Sequence, residues 1–106
     1  MEERRRLERF DLALPSTVGI LDPKELMIGK PIDCLTRDVS SSGAYFLTRD
    51  PLPTGTCVSL EMALKPESGR RPSVFSQMKT RGSVVRAEPA GMAVCFSGRC
   101  RLVPWP

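Results

Sequence analysis

A chain of 106 residues with 41% hydrophobic content can hold one core but not two. Aromatic residues supply only 6%, so aliphatic side chains must fill most of the interior. The formal charge of +4, from 16 basic against 12 acidic residues, falls short of the basic stripe of a dedicated nucleic-acid binder, and the absence of histidine removes the commonest general base and the usual catalytic triads.

The first nine residues hold Arg4, Arg5, Arg6 and Arg9 among Glu2, Glu3 and Glu8, and are expected to form a flexible arm. Ten prolines and eight glycines then punctuate the chain, as they do where many short strands are joined by turns. Phe10, Leu12 and Leu14 alternate with Asp11 and Ala13, so a first strand is expected there, running on towards Ile20. Pro23 to Met27 reads as a single helical turn. A second strand is expected over Ile32 to Arg37 and a short third over Ala44 to Thr48, with Asp38 to Gly43 as the turn between them.

The clearest period-two pattern is Val58, Leu60, Met62 and Leu64 against Ser59, Glu61, Ala63 and Lys65, which predicts a fourth, half-buried strand. The polar stretch Lys65 to Ser73 is a long hairpin loop. A fifth strand should run from Phe75 to Ala87 with Met78, Thr80, Gly82 and Val84 on one face, and Gly82 predicts a bulge or a barrel corner. Met92, Val94 and Phe96 point inward from a sixth. Ser97 to Pro106 is a short tail, with Trp105 covering an open end of the core. Six short strands without helical crossovers predict an all-β, antiparallel architecture, and hiding their edges on so short a chain favours a six-stranded barrel over a sandwich.

Cys34, Cys57, Cys95 and Cys100 form no Cys-x-x-Cys pair and fit no zinc ribbon or finger, so free thiols in a reducing cytosol are expected. No run approaches the roughly 18 apolar residues of a membrane span. The charged N-terminus leads into no apolar signal region. The expectation is a cytoplasmic domain without catalysis, cofactor or metal.

Two short constellations carry chemistry. Arg5 and Arg9, four apart, share one side of a helical turn or of an extended segment, and each offers a planar fork of donors suited to phosphate oxygens or to the O6/N7 edge of guanine. Alone, such a pair beside acids reads as a solvated surface. Asp38, Ser40 and Gly43 lie in Asp-Val-Ser-Ser-Ser-Gly: a carboxylate that can accept from the N1–H and N2–H₂ of guanine, a hydroxyl beside it, and a glycine that permits a tight turn. Alone, that segment reads as a turn capped by its own side chains.

Together the two motifs change the odds. Arg-x-x-x-Arg at Arg5 and Arg9, followed by Asp-x-Ser-x-x-Gly at Asp38 to Gly43, resembles the PilZ family. Leu14-Pro15, the Gly82-Ser83-Val84-Val85-Arg86 strand and the Gly91-Met92-Ala93-Val94-Cys95-Phe96 strand fit the same family in the same order, over about residues 3 to 97. The resemblance implies a six-stranded antiparallel barrel over 10–97, a ligand-binding arginine arm over 1–9 and a short C-terminal tail over 98–106.

The implied ligand is the bacterial second messenger cyclic di-GMP, commonly bound as an intercalated dimer. Arg5 and Arg9 would clamp phosphates and guanine edges, Asp38 and Ser40 would read a guanine edge, and Gly43 would let the ligand approach the backbone. Arg4 is an auxiliary contact that favours two ligand molecules, whereas Arg6 is expected to pair with Glu2 or Glu3 or to face solvent. Arg86 either buttresses Asp38 or stays exposed. An unidentified effector protein is the expected partner, and a homodimer stays open because the tail is too short for the family's amphipathic C-terminal helix. The alternative is a ligand-free adaptor acting through protein contacts. A nucleic-acid binder is disfavoured by the few aromatics and the modest charge.

Overall fold

The computed structural model describes residues 11, 13–63, 75–98 and 101–104. These form seven strands: β1 (Pro15–Leu21), β2 (Met27–Val39), β3 (Gly43–Leu47), β4 (Cys57–Ala63), β5 (Phe75–Glu88), β6 (Gly91–Phe96) and β7 (Arg101–Pro104). They lie in the order β4-β1-β2-β3-β6-β5-β7, every pair antiparallel, and β5 bonds back to β4. Six strands therefore close into the expected barrel, with no helix among the described residues. The seventh, within the segment read as a tail, pairs with β5 over Phe75 to Lys79, ahead of the stretch that serves β6.

Closure depends on β5, which is long enough to serve both neighbours. Residues Gln77 to Ser83 pair with β4 and Gly82 to Glu88 with β6. The handover is at Gly82, which faces both Val58 and Phe96. A Cβ there would lie 2.3 Å from the Cys95 carbonyl oxygen, so a side chain would push the two strands apart. Gly82 is thus the corner, and the bulge in β5 comes later, at Val85.

Inside the barrel, Val18, Phe46, Val58, Leu60, Met62, Val84, Met92 and Val94 pack as one cluster, with Thr80 and Gly82 on the same inward face of β5. The alternation read from β4, β5 and β6 puts the expected residues inward because consecutive side chains leave a strand on opposite faces. The expected first strand begins with Phe10, Leu12 and Leu14. Of these Leu14 joins the core, just ahead of β1, while Phe10, Leu12, Leu64 and Trp105 lie outside the described residues.

Two expectations are corrected. Pro23 to Met27 is not a helical turn: residues 22–26 form the β1–β2 hairpin loop. Asp22 organises that loop, its Oδ1 accepting from the backbone N–H of Lys24 at 2.8 Å and of Leu26 at 2.9 Å, with Glu25 in the left-handed region at φ 65°. The second strand starts at Met27 rather than at Ile32. It accommodates Pro31 in an irregularity where Ile28 and Ile32 face Ile20 and Val18, so that Gly29-Lys30-Pro31 lie opposite Gly19 alone. No helix of the described residues is long and apolar enough to cross a membrane.

Candidate functional site

The Asp38 to Gly43 segment closes the β2–β3 hairpin. Ser40 N donates to the Gly43 carbonyl at 2.8 Å, and the Ser40 hydroxyl accepts from Ser42 N at 3.2 Å. Ser40 therefore caps its own turn. Asp38 does not; its carboxylate Oδ2 accepts from Nε of Arg37 at 2.9 Å. Adjacent residues of a regular strand point to opposite faces, so this pairing needs an explanation.

The explanation is a bulge at Arg37. Thr36 pairs with Phe46 and Asp38 with Tyr45, which leaves Arg37 as the extra residue. Thr36 and Val39 are buried, and the bulge lets Arg37 and Asp38 both face outward between them. Arg37 then folds over Asp38, whose side chain keeps only 12% exposure while that of Arg37 keeps 50%. The ion pair holds the Arg37 guanidinium more firmly protonated than an isolated arginine.

Arg37 also covers an aromatic ring. Its Cζ lies 4.0 Å from the centroid of Tyr45, a cation–π contact. The Tyr45 ring lies on β6 at Gly91, where a Cβ would come within 2.6 Å of Cε1. The phenol donates to Glu88 Oε1 at 2.5 Å, and Arg86 Nε meets Glu88 Oε2 at 3.1 Å. The phenol–carboxylate bond raises the pKa of Tyr45 and lowers that of Glu88 from their ordinary values. The second bulge, at Val85, brings Arg86 opposite Ala93 and Glu88 opposite Gly91, on the face of Tyr45. Arg86 is thus committed to Glu88 and does not buttress Asp38.

The chain ahead of β1 joins the barrel beside this cluster. Leu14 N donates to Thr36 Oγ1 at 2.9 Å, and Thr36 N donates back to the Leu14 carbonyl at 3.1 Å. Arg4, Arg5, Arg6 and Arg9 lie outside the described residues. Asp38, Ser40 and Gly43 do come together, and Gly43 has a structural duty of its own. Its φ is not positive; instead the Val94 carbonyl oxygen would sit 2.3 Å from a Cβ at that position. Sequence reasoning missed Arg37, Tyr45 and Glu88, because the two bulges that gather them leave no local mark in the residue pattern.

Other features do not converge on this face. A groove of about 740 Å³ lies against β4 and β5, lined among others by Glu25, Cys57, Glu61, Lys79 and Arg81. Its charges are largely paired, Lys79 with Glu61 at 3.6 Å and Arg81 with Glu25, so concavity alone marks no ligand site there. Cys34, Cys57 and Cys95 are free thiols, and burial pushes Cys34 up from the usual cysteine pKa. Among the described residues no group of His, Cys, Asp or Glu side chains could hold a metal ion.

A family model described as the PilZ domain matches residues 3–99, a range that takes in both arm arginines, the Asp38 to Gly43 turn and the six barrel strands. No curated protein matches the chain closely enough to stand as a relative. PilZ domains are receptors for cyclic di-GMP in general rather than a catalytic family. A closed antiparallel barrel with this turn, matched over nearly its whole length, belongs to the PilZ domain family.

Proposed function

We propose that this chain is a cytoplasmic bacterial receptor that binds cyclic di-GMP between its arginine arm and the Asp38 to Gly43 turn. One observation carries the reading. The reciprocal bonds between Leu14 and Thr36 bring the arm's root to within two residues of Asp38. Arg9 lies five positions before Leu14, a reach of at most about 18 Å in extended chain, so Arg9 can meet a ligand seated at Asp38. Arg5, four residues farther out, can reach its second half.

The chemistry divides accordingly. Arg5 and Arg9 supply charged forks for phosphate and for the Hoogsteen edge of guanine, and Asp38 supplies the acceptor for the N1–H and N2–H₂ edge. Ser40, whose hydroxyl oxygen also accepts from Ser42 N within the turn, reads the guanine edge beside Asp38. Arg4 adds a further cation, which favours an intercalated pair of ligands over one. Neutralising the arm draws residues 1–9 onto the barrel over 10–97, and an effector protein reads the new surface.

Titration calorimetry with cyclic di-GMP, with cyclic di-AMP and GTP as controls, tests the reading. Wild type should bind cyclic di-GMP alone, with a stoichiometry near two. The Arg9→Ala variant should lose about 2–5 kcal/mol of binding, the scale of one partner lost from a desolvated charge pair. Unchanged affinity in that variant removes Arg9 from the site.

The adaptor reading rests on a different observation: Leu26, Met27 and Ile28 stand exposed together at the β1–β2 hairpin, at the opposite end of β2 from Asp38. A melting temperature that rises with cyclic di-GMP counts against a ligand-free adaptor, because ligand binding to the folded state must stabilise it.

A further inference from the structure

The layers on the outer face of β3 and β6 form an ordered pile. Gly91 is the floor, the Tyr45 ring lies on it, and the Arg37 guanidinium lies on the ring. Each layer is fixed from the side: Tyr45 through its hydroxyl to Glu88, and Arg37 through Nε to Asp38. Tyr45 is 4% exposed, whereas half of the Arg37 side chain remains open. The guanidinium is therefore held by the ring beneath it and by Asp38 at its Nε, while half of the side chain stays open to a further planar group. Its edge marks the direction of the Asp38 carboxylate.

We infer that Arg37 is a stacking platform for a guanine base, laid as the next layer on the Gly91–Tyr45–Arg37 pile with its donor edge turned to Asp38. This rests on the cyclic di-GMP reading and adds a residue outside both motifs. Three facts support it. The Arg37 bulge turns Arg37 and Asp38 outward side by side while Thr36 and Val39 keep the inward positions on either side. Glycine at 91 makes room for the ring, which would otherwise be lifted off the sheet. A guanidinium that already donates to Asp38 is pre-organised, so little side-chain freedom remains to be lost when a base stacks.

The discriminating variant is Arg37→Lys. It keeps the charge and the reach to Asp38 but has no plane to stack on. Removing one base–platform contact should weaken cyclic di-GMP about tenfold, the range seen when a stacking side chain is removed. Its melting temperature should stay within about 2 °C of wild type, because the lysine keeps a positive charge beside the Asp38 carboxylate. A second readout follows from Tyr45 being the sole tyrosine: labelling with 3-fluorotyrosine gives one fluorine resonance directly beneath Arg37. Cyclic di-GMP should shift that resonance in the wild type and much less in Arg37→Lys.

Affinity within twofold of wild type, with an equal fluorine shift, overturns the platform while the receptor reading stands on Arg9→Ala. Loss of affinity in Arg37→Lys with an undiminished fluorine shift also overturns it, since the residue would then act through charge alone. Wild type that binds no cyclic di-GMP overturns both readings together.

Discussion

Gly43 invites a functional explanation because it ends the Asp-x-Ser-x-x-Gly motif, yet the barrel accounts for it first. An alanine Cβ at this position would stand 2.3 Å from the Val94 carbonyl oxygen, 3.3 Å from its carbon and 3.4 Å from the Cys95 Cα. All three atoms are backbone, held in the β3–β6 ladder where Gly43 faces Cys95 and Ala44 faces Val94. Reaching ordinary carbon–oxygen separation, about 3.3 Å, requires the strands to part by roughly 1 Å. Overpacking of this kind costs about 1–3 kcal/mol, and one weakened ladder bond adds about 1 kcal/mol. The Gly43→Ala variant should therefore lose about 2–4 kcal/mol, which for a domain of this size lowers the melting temperature by roughly 10–25 °C. Thermal unfolding followed by far-ultraviolet circular dichroism measures it. Gly98→Ala is the control, because its nearest neighbour would be 3.7 Å away and nothing need move. A Gly43→Ala melting point within about 3 °C of wild type would refute the packing argument and return Gly43 to a ligand role alone.

Two further outcomes follow from the same face. Tyr45 is the only tyrosine, so absorbance at alkaline pH follows it without ambiguity, and its midpoint should lie above 10 because the phenol donates to Glu88. A folded-state pKa above the unfolded one means that this contribution to stability is complete below about pH 10 and is lost as pH rises through the raised value. The Glu88→Gln variant should bring the midpoint down, and a wild-type midpoint at or below about 10 refutes the bond. Thr36→Val removes the acceptor for the Leu14 N–H at the arm's root and should cost about 1–3 kcal/mol by denaturant unfolding, with weaker cyclic di-GMP binding alongside. Unchanged stability in that variant would remove Thr36 as the clasp.

Much of the barrel is legible in the residue pattern. Val58, Leu60 and Met62 in β4, and Met92, Val94 and Phe96 in β6, announce their inward faces because the side-chain period of a strand is two and the polar residues between them cannot share the core. The N-terminal part of β2 is hidden because Gly29 and Pro31 break that period. The strand survives there only because opposing residues of β1 close around the irregularity. Arg101–Pro104 is hidden for a related reason: four residues carry too little pattern to mark a strand whose existence rests on an open stretch of β5.

The sequence by itself determined the strand count around the barrel, the residues that fill it, and the two motifs that mark the chain as a PilZ domain. It also placed Asp38, Ser40 and Gly43 in one turn, since those residues are neighbours along the chain. Only the tertiary structure decided what surrounds them. Arg37, Tyr45, Glu88 and Gly91 come from different strands, and they meet because bulges at Arg37 and Val85 turn side chains outward that a regular pleat would alternate. Bulges are set by how distant strands register against one another, an interaction between segments far apart along the chain, and local residue patterns carry no trace of it.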